Sequence, residues 1–419
     1  MDWFSQERFG MFIHWGIYSH ACGCWKGMET PWVSEWMMHK FRIPRQEYRE
    51  MAKEFNPVAF DADEWVKSAL DAGMKYMVVT AKHHDGFAMF DSSYDDFNIC
   101  KLTPFKRDAI GELADAAHRH GLRFGVYYSH EQDWNEAGAV GNTWDFSPEE
   151  KTPEAFEAYL HGKVYHQVRE LLTNYGKIDI IWFDTPVRIT EKQSLELGEF
   201  VKSIAPDCLV NSRIGGGREW DFETLPDNHL PAVPCTRRTE AISTMNESWG
   251  YKPIDLNYHS SSELLERIAS AVSHNANFLL NVGPDGKGVF PPEAVSRLQE
   301  IGSFIKVRGE ALYGAKDPGV IYSRNNWGKV SRNGNSLYFW LFRNPGEVRF
   351  YGIRSAVKSA GVLVTGEKVV IDEYHNKDYD YHRMIMTLPE NLQLPAVIKV
   401  TCDCVELDCF KEAYSCGSC

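Results

Sequence analysis

Residues Lys177–Asp184 read Lys-Ile-Asp-Ile-Ile-Trp-Phe-Asp, and the interpretation of the whole chain starts from this stretch. Its isoleucines and phenylalanine lie between a Gly-Lys start and a carboxylate, and Thr185-Pro186 ends the run. A short, β-branched run bounded by glycine and proline is typical of a buried strand rather than a helix. Such a strand delivers Asp184 to a strand mouth, where reactive groups are often found. We therefore take Asp184 as the working centre of a site.

Similar strands alternate with helical patterns through residues 1 to about 315. The further strand-like runs are Phe9–Trp15, Lys75–Ala81, Leu122–Ser129, Cys208–Arg213 and Asn277–Val282. The order of helix, glycine and strand recurs, and repeated βα units predict a parallel sheet. The first five strands each run into reactive or aromatic residues, and a (β/α)₈ barrel would gather all these ends at one face. A doubly wound open sheet would usually show a glycine-rich phosphate turn. The sequence therefore predicts a TIM-like (β/α)₈-type barrel.

The pattern changes near residue 316. Short β-type runs with polar turns follow one another at Leu337–Phe342, Val348–Tyr351, Val362–Thr365, Val369–Ile371, Met384–Leu388 and Val397–Thr401. About 100 residues of this kind predict an antiparallel β-sandwich. We predict a catalytic domain over residues 1–315 and a C-terminal β-sandwich domain over residues 316–419 that ends in a cysteine-rich tail.

Charge and composition limit the classes of partner. The net charge is −13, without a Lys/Arg run, which argues against nucleic acid and anionic membranes as partners. No apolar run is long enough to span a bilayer, and the N-terminus lacks a signal-peptide pattern. We expect a cytoplasmic protein rather than one stripped of its leader. Five of the ten cysteines crowd the last 18 residues. Reduced thiols are favoured there over a zinc site.

Three chemistries could use the residues at the barrel mouth. A metal site would draw on His14, His83, His84 and Asp184, but the usual spacings of metal ligands are absent, and adjacent histidines on a strand point to opposite faces. A nucleophilic serine or cysteine triad lacks the Gly-x-Ser-x-Gly elbow. Glycoside cleavage needs one ionised and one protonated carboxyl group. Asp184 suits the ionised role because nearby donors lower a carboxyl pKa. We expect no metal and no cofactor.

Six motifs in register resemble the α-L-fucosidases of glycoside hydrolase family 29. They are Phe-Gly-Met-Phe-Ile-His-Trp-Gly-Ile-Tyr-Ser (9–19), Ser-Glu-Trp (34–36), Ala-Lys-His-His-Asp-Gly-Phe (81–87), Trp-Phe-Asp (182–184), Ser-Trp-Gly-Tyr (248–251) and Asn-Phe-Leu-Leu-Asn-Val-Gly-Pro-Asp-Gly (277–286). The match covers the whole predicted barrel in the same order, and the trailing β-domain agrees with the family's architecture. The resemblance implies a retaining, exo-acting α-L-fucosidase that works through a covalent fucosyl-enzyme.

The resemblance also implies roles for individual residues. Asp184 matches the family's nucleophile. The positions that match those holding the fucose are His14, Glu35, Trp36, His83, His84, Tyr128, Trp182 and Trp249. Counting nine residues back from Trp249 places the acid/base at Glu240, although Thr239 stands where the family often has Trp. Glu247 is the alternative.

The expected partner is a fucosylated glycan or glycoside, and a homo-oligomer is left open. The Ser-Trp-Gly-Tyr version of the motif resembles the branch of the family with broad aglycone tolerance. Two alternatives remain at this stage: a glycan-binding protein on a barrel scaffold, and a glycosidase with another sugar specificity. Turnover of an aryl fucoside would distinguish a fucosidase from a glycan-binding protein. A panel of aryl glycosides would distinguish it from a glycosidase with another sugar specificity.

Several residues near the predicted mouth receive no definite role. Arg213 lies at a strand end, where it would contact a substrate oxygen or pair with Asp221 or Glu219. Three tryptophans fit core and rim positions equally well and are left out of the predicted site: Trp15, Trp32 and Trp134.

Overall fold

Eight parallel strands form the central sheet of the chain. The computed structural model describes residues 2–217, 220–319, 321–322, 326–378 and 381–405. The strands are β1 Phe9–Ile13, β2 Tyr76–Lys82, β3 Arg123–Tyr128, β4 Ile180–Phe183, β5 Leu209–Val210, β6 Glu223–Thr224, β7 Thr239–Ser243 and β8 Ala276–Val282. Their order across the sheet is β5-β4-β3-β2-β1-β8-β7-β6. The two edge strands, β5 and β6, are therefore neighbours along the chain.

The two edges of the sheet meet. Asn211 and Phe222 form a parallel bridge directly beside the two short edge strands. The backbone N–H of Asp221 also donates to the carbonyl of Val210 at 3.0 Å. These contacts close the sheet into a barrel, which confirms the predicted TIM-like fold and brings all the carboxyl ends of the strands to one face.

Helices surround the barrel and fill its loops. They are α1 Trp3–Glu7, α2 Ile17–Ala21, α3 Met37–Lys40, α4 Arg45–Ala52, α5 Ala62–Asp71, α6 Ile99–Leu102, α7 Ala109–His120, α8 Pro153–Tyr159, α9 Tyr165–Asn174, α10 Glu191–Ile204, α11 Ser261–Val272 and α12 Pro292–Lys306. A π-helical turn at Leu160–Val164 joins α8 to α9. Residues 225–238, all described, contain no helix, so the connection from β6 to β7 is a loop.

Local sequence explains where such a helix begins and ends, as α7 shows. The side chain of Asp108 caps its first turn by accepting from the backbone N–H of Gly111 at 2.8 Å. One apolar face, which includes Ile110 and Leu113, is buried against the barrel. Gly121 ends the helix with φ at 70°, a left-handed conformation that glycine adopts without steric cost.

Two barrel strands, β6 and β7, were not among the predicted runs. β6 has only two residues. β7 reads Thr-Glu-Ala-Ile-Ser, and the glutamate at its second position interrupts the apolar run by which a buried strand is recognised. The sequence around Glu240 therefore carries no clear strand signal.

The C-terminal part is an antiparallel sandwich, as predicted. Its strands are β9 Ile321–Tyr322, β10 Gly328–Asn333, β11 Ser336–Leu341, β12 Glu347–Tyr351, β13 Val357–Val362, β14 Val370–Asn376, β15 Tyr381–Thr387 and β16 Ala396–Cys402. They form two four-stranded sheets, β9-β12-β15-β14 and β10-β11-β16-β13. The sandwich packs on the barrel through contacts such as the hydroxyl of Ser331 donating to the carbonyl of Ala311 at 2.8 Å. No helix among the described residues is long and apolar enough to cross a bilayer.

Candidate active site

A cavity of about 250 Å³ opens at the carboxyl ends of the barrel strands. The predicted site residues that line it are His14, Glu35, Trp36, His83, His84, Trp182, Asp184 and Trp249. Glu240 and Tyr128 do not line it, whereas Glu247 lies at its rim. Tyr127, Arg213 and Asp227 also line the cavity, and none of these three was among the predicted site residues.

Asp184 follows strand β4 directly, and three side chains surround its carboxylate. Arg213 donates from Nη1 to Oδ1 at 2.8 Å, and the hydroxyl of Tyr127 donates to Oδ2 at 2.9 Å. His84 Nε2 lies 3.7 Å from Oδ2. Burial alone would raise the pKa of Asp184, but the Arg213 guanidinium, the nearby His84 and these hydrogen bonds lower that pKa to about 2. The carboxylate is therefore ionised at neutral pH and suited to act as a nucleophile.

Arg213 holds a second carboxylate as well. Its Nη2 donates to Oδ1 of Asp227 at 2.7 Å, and the same nitrogen donates to the carbonyl of Leu225 at 2.8 Å. The guanidinium carbon lies 5.1 Å from the centre of the Trp182 ring. Asp184 and Asp227 therefore share one cation. Asp221, a predicted partner of Arg213, instead pairs with another cation, and the other predicted partner, Glu219, lies outside the described residues.

Two histidines in the cavity are held in one orientation by side chains behind them. The Nδ1 of His14 donates to Oδ1 of Asn281 at 2.8 Å, and the Nδ2 of Asn281 donates to the carbonyl of Trp249 at 2.7 Å. The Nδ1 of His84 lies 2.6 Å from the hydroxyl of Ser129. Burial lowers the pKa of both histidines to about 4. Both rings are thus neutral at neutral pH, and they can hydrogen-bond to sugar hydroxyls without adding positive charge.

His83 and His84 both line the cavity, although adjacent strand residues should point to opposite faces. The reason is that β2 ends at Lys82, so both histidines lie in the turn that follows the strand. Their ring centres are 4.2 Å apart, and the His83 ring stacks on Tyr127 at 5.4 Å. Burial, followed by the neighbouring histidines, lowers the pKa of His83 well below its usual value.

Glu35 lies in a 3₁₀ turn at the side of the cavity and is almost fully buried. Its Oε2 accepts from the backbone N–H of Gly250 at 2.9 Å, while Oε1 has no hydrogen-bond partner among the described residues. Burial raises the pKa of Glu35 to about 7. A buried carboxyl group with a free oxygen can bind a sugar hydroxyl in place of water. Trp36 lies beside it, with its ring 5.2 Å from that of His84.

The prediction of Glu240 as the acid/base does not fit its position. Glu240 is a strand residue on β7, fully buried in the barrel interior. Its Oε1 accepts from the hydroxyl of Tyr76 at 2.7 Å, and its Oε2 accepts from Nε1 of Trp182 at 2.9 Å. Burial raises the pKa of Glu240 to about 7, but its carboxyl group does not line the cavity, and both of its oxygens accept hydrogen bonds from protein side chains.

Tyr128 was predicted to contact the sugar, but its neighbour Tyr127 occupies that place. Tyr128 faces away from the cavity, and its hydroxyl donates to Oε1 of Gln167 at 2.8 Å. Tyr127 pairs with Trp182 in the register between β3 and β4, so both side chains point into the barrel. The alternation of side chains along a strand, counted from the inward-facing Trp182, would have selected Tyr127.

No group of three or more histidine, cysteine or acidic residues in the described part of the chain is arranged to hold a metal ion. Cys402 and Cys404 are free thiols. The remaining cysteines of the predicted tail, at positions 409, 416 and 419, lie outside the described residues.

Comparisons with known proteins agree on one family. The model of the family described as alpha-L-fucosidase matches residues 1–310. The human plasma alpha-L-fucosidase is 29% identical over 390 residues, which cover 88% of this chain and 79% of the relative. The crystal structure of an alpha-L-fucosidase from Vibrio sp. strain EJY3 superposes with a TM-score of 0.90 at 35% identity, covering 96% of this chain and 73% of that one. An alpha-L-fucosidase from Lactobacillus casei, in complex with its α-L-fucose product, is 38% identical with a TM-score of 0.68, covering 73% and 99% of the two chains.

Proposed function

The chain belongs to the α-L-fucosidase family, and we propose that it hydrolyses terminal α-L-fucosides with retention of configuration. The chain is a glycoside hydrolase of that family, and the proposal concerns its mechanism and its catalytic residues. Asp184 is the nucleophile and Asp227 is the general acid/base. The observation that carries this assignment is the shared contact of both carboxylates with Arg213.

The separation of the two carboxyl groups distinguishes the two mechanisms of glycoside hydrolysis. Retaining enzymes hold them about 5–5.5 Å apart, whereas inverting enzymes leave about 6.5–9.5 Å for a water molecule. Asp184 and Asp227 accept from the two terminal nitrogens of one planar guanidinium, at 2.8 and 2.7 Å. These contacts keep the two carboxyl groups close together, as a retaining pair requires, and retention itself is taken from the family to which the chain belongs.

In the first step, an oxygen of Asp184 forms a bond to the anomeric carbon while the bond from that carbon to the leaving oxygen breaks. Asp227 transfers its proton to the leaving oxygen. The low pKa of Asp184 keeps the nucleophile deprotonated. The hydroxyl of Tyr127 and the Arg213 guanidinium hold the attacking carboxylate in one orientation, which lowers the entropic part of the barrier.

In the second step, water attacks the anomeric carbon, the bond to Asp184 breaks, and Asp227 accepts the proton of the water. The same residue can act as the acid in the first step and as the base in the second, because the two steps are each other's mechanistic reverse at the anomeric carbon. Arg213 contacts Asp227 at 2.7 Å and keeps its carboxyl group in place for both steps.

The cavity supports a single terminal sugar as the bound group. Its volume of about 250 Å³ lies below the roughly 300–1,000 Å³ of typical ligand pockets. The aromatic rings of Phe12, Tyr127 and Trp182 close its floor. The neutral His14 and His84 accept or donate hydrogen bonds at its walls. The Lactobacillus casei relative binds α-L-fucose, which is a single sugar.

Glu247 is the competing candidate for the acid/base. It also lines the cavity, but its Oε1 accepts from Nδ2 of Asn257 at 2.8 Å, and no contact with Arg213 links it to Asp184. Asp227 is therefore favoured by its direct connection to the nucleophile. We also propose broad aglycone tolerance, because exposed residues such as Trp32 and Glu247 line the rim of the cavity.

The decisive experiment compares Asp227→Asn and Glu247→Gln on aryl α-L-fucosides with leaving groups of different acidity. Loss of the acid should slow poor leaving groups by about 10²–10⁴-fold and activated ones much less. Azide should accelerate the Asp227→Asn variant and give a fucosyl azide of retained configuration. A steep dependence on the leaving group in Glu247→Gln instead would move the acid/base role to Glu247. Release of β-L-fucose as the first product of the wild-type enzyme would contradict retention.

A further inference from the structure

A second depression adjoins the active-site cavity at the barrel mouth. It encloses about 390 Å³ and is lined by Pro31, Trp32, Glu247, Lys252, Ile254 and Leu256, among others. Trp32 and Glu247 line both spaces, so the cavity and this groove are continuous at the rim. We call it the rim groove. A group that leaves the cavity past these two residues enters the rim groove directly.

Three exposed apolar side chains lie around the rim groove. Trp32 is 50% exposed, Ile254 is 52% exposed and Leu256 is 73% exposed. Scattered apolar residues are normal on a protein surface, but several together around one concave space indicate a binding surface. These three residues come from two separate loops that meet only in the folded chain.

Trp32 is exposed and yet held in place. The Nζ of Lys252 donates to the carbonyl of Trp32 at 2.9 Å and to the carbonyl of Thr30 at 2.8 Å. The Nζ of Lys40 lies 4.5 Å from the centre of the Trp32 ring, and the Trp36 ring is 5.4 Å away. A side chain that is fixed before binding loses little entropy when a ligand stacks on it. The arrangement suits a stacking platform rather than a loose surface residue.

Glu247 supplies a fixed polar group between the two spaces. Its backbone N–H donates to Oδ2 of Asp255 at 2.9 Å, and Asn257 donates to its Oε1 at 2.8 Å. Asp255 and Asn257 lie on the same loop as Ile254 and Leu256 and also line the rim groove. The exposed carboxylate can therefore accept a hydrogen bond from a hydroxyl of a ligand whose apolar face rests on the neighbouring side chains.

We propose that the rim groove binds the leaving group of the substrate as a pyranose ring, with Trp32 as the stacking platform and Glu247 as the acceptor for one hydroxyl. The inference rests on the proposed function, because it takes the cavity as the fucose site. A pyranose offers an apolar face of C–H groups and a polar edge of hydroxyls, which matches an aromatic ring beside a carboxylate. The groove has room for a second ring, and its apolar contacts are not directional. Leaving-group sugars of different linkage can therefore use the same surface.

The test uses the ratio of kcat/KM for a fucosyl disaccharide to kcat/KM for α-L-fucosyl fluoride. The fluoride leaving group is too small to reach the rim groove. Trp32→Ala and Leu256→Asn should each lower the ratio, Trp32→Ala by about tenfold. The matched control is Trp25→Ala, a partly buried tryptophan that also carries a lysine over its ring but lines neither space. Its ratio should stay within twofold of the wild-type value.

An unchanged ratio in both Trp32→Ala and Leu256→Asn would overturn the proposal, as would equal losses on both substrates. Leu256→Asn replaces an exposed side chain and keeps the test valid where Trp32→Ala does not fold. The proposed function fails differently: the wild-type enzyme would then show no turnover of α-L-fucosyl fluoride, or Asp227→Asn would show no dependence on the leaving group.

Discussion

Two carboxyl groups of the barrel, Asp184 at its mouth and Glu240 in its interior, are both buried, and they differ in pKa. Trp182 connects them: its Nε1 donates to Glu240, and its ring stacks on Tyr127, whose hydroxyl donates to Asp184. Burial alone raises the pKa of both groups. Arg213 reverses that effect at Asp184, whose pKa falls to about 2, while Glu240 has two neutral donors and a pKa of about 7. A neighbouring cation, and not the depth of burial, gives Asp184 the lower pKa of the two.

The largest loss of activity is expected when Asp184, at the barrel mouth, is replaced. Asp184→Gly should lower kcat on an aryl α-L-fucoside by at least about 10³-fold, because no other group can form the covalent intermediate. Azide should partly restore turnover and give a fucosyl azide of inverted configuration. Asp179→Asn, at the amino end of the same strand, is the matched control and should retain activity in the folded enzyme. Near-normal activity of Asp184→Gly would remove this residue from the mechanism.

A smaller loss of activity is expected when a hydrogen-bond donor to Asp184 is removed. Tyr127→Phe removes one donor to the charged form of Asp184, so the pKa of Asp184 should rise from about 2. The acid limb of kcat/KM should move to higher pH, and kcat should fall roughly 10–100-fold, since a hydrogen bond to a charged group contributes about 1.5–3 kcal/mol. Tyr128→Phe is the matched control, because its hydroxyl donates to Gln167 instead. The comparison fails if the two variants have the same pH profile.

The smallest effect on activity is expected in the interior, where Glu240→Gln should change stability against pH more than turnover. In the folded chain the pKa of Glu240 is about 7, above its usual value of 4.5, so the folded state binds a proton that the unfolded state has lost. The free energy of unfolding should therefore fall as pH rises from about 4.5 to 7, by up to ~1.4 kcal/mol per pH unit.

Glu240→Gln should reduce this slope, as measured by urea denaturation at a series of pH values. Glu223→Gln, on the neighbouring strand β6, serves as the control because its exposed side chain stays in water in both states. Asp184 has the opposite dependence, because its lowered pKa stabilises the fold above about pH 4 and that contribution is lost as pH falls towards 2. An unaltered slope in Glu240→Gln would mean that the interior carboxyl group is already ionised in the folded state.

Much of the cavity could be predicted from residues that follow apolar strands. His14, His83 and Asp184 each come directly after such a strand, and parallel strands bring their carboxyl ends to one face. Asp227 was not predicted because it lies in the loop from β6 to β7, and β6 has too few residues to be recognised. Glu240 was assigned by counting residues within a motif, and counting does not show whether a position lies on a loop or inside a barrel.

Local sequence patterns were enough to predict the alternation of strands and helices, the family resemblance and the position of Asp184 at the end of a strand. These properties depend on local periodicity and on short motifs, and both can be recognised in the sequence without the structure. Which carboxyl group shares Arg213 with Asp184 became known only from the folded chain, because Arg213 is 29 residues from Asp184 and 14 residues from Asp227, and no periodic pattern links the three positions. The same applies to Trp32 and Leu256, which line one groove although more than 200 residues separate them. Distances between distant segments follow from packing, and no local pattern encodes them.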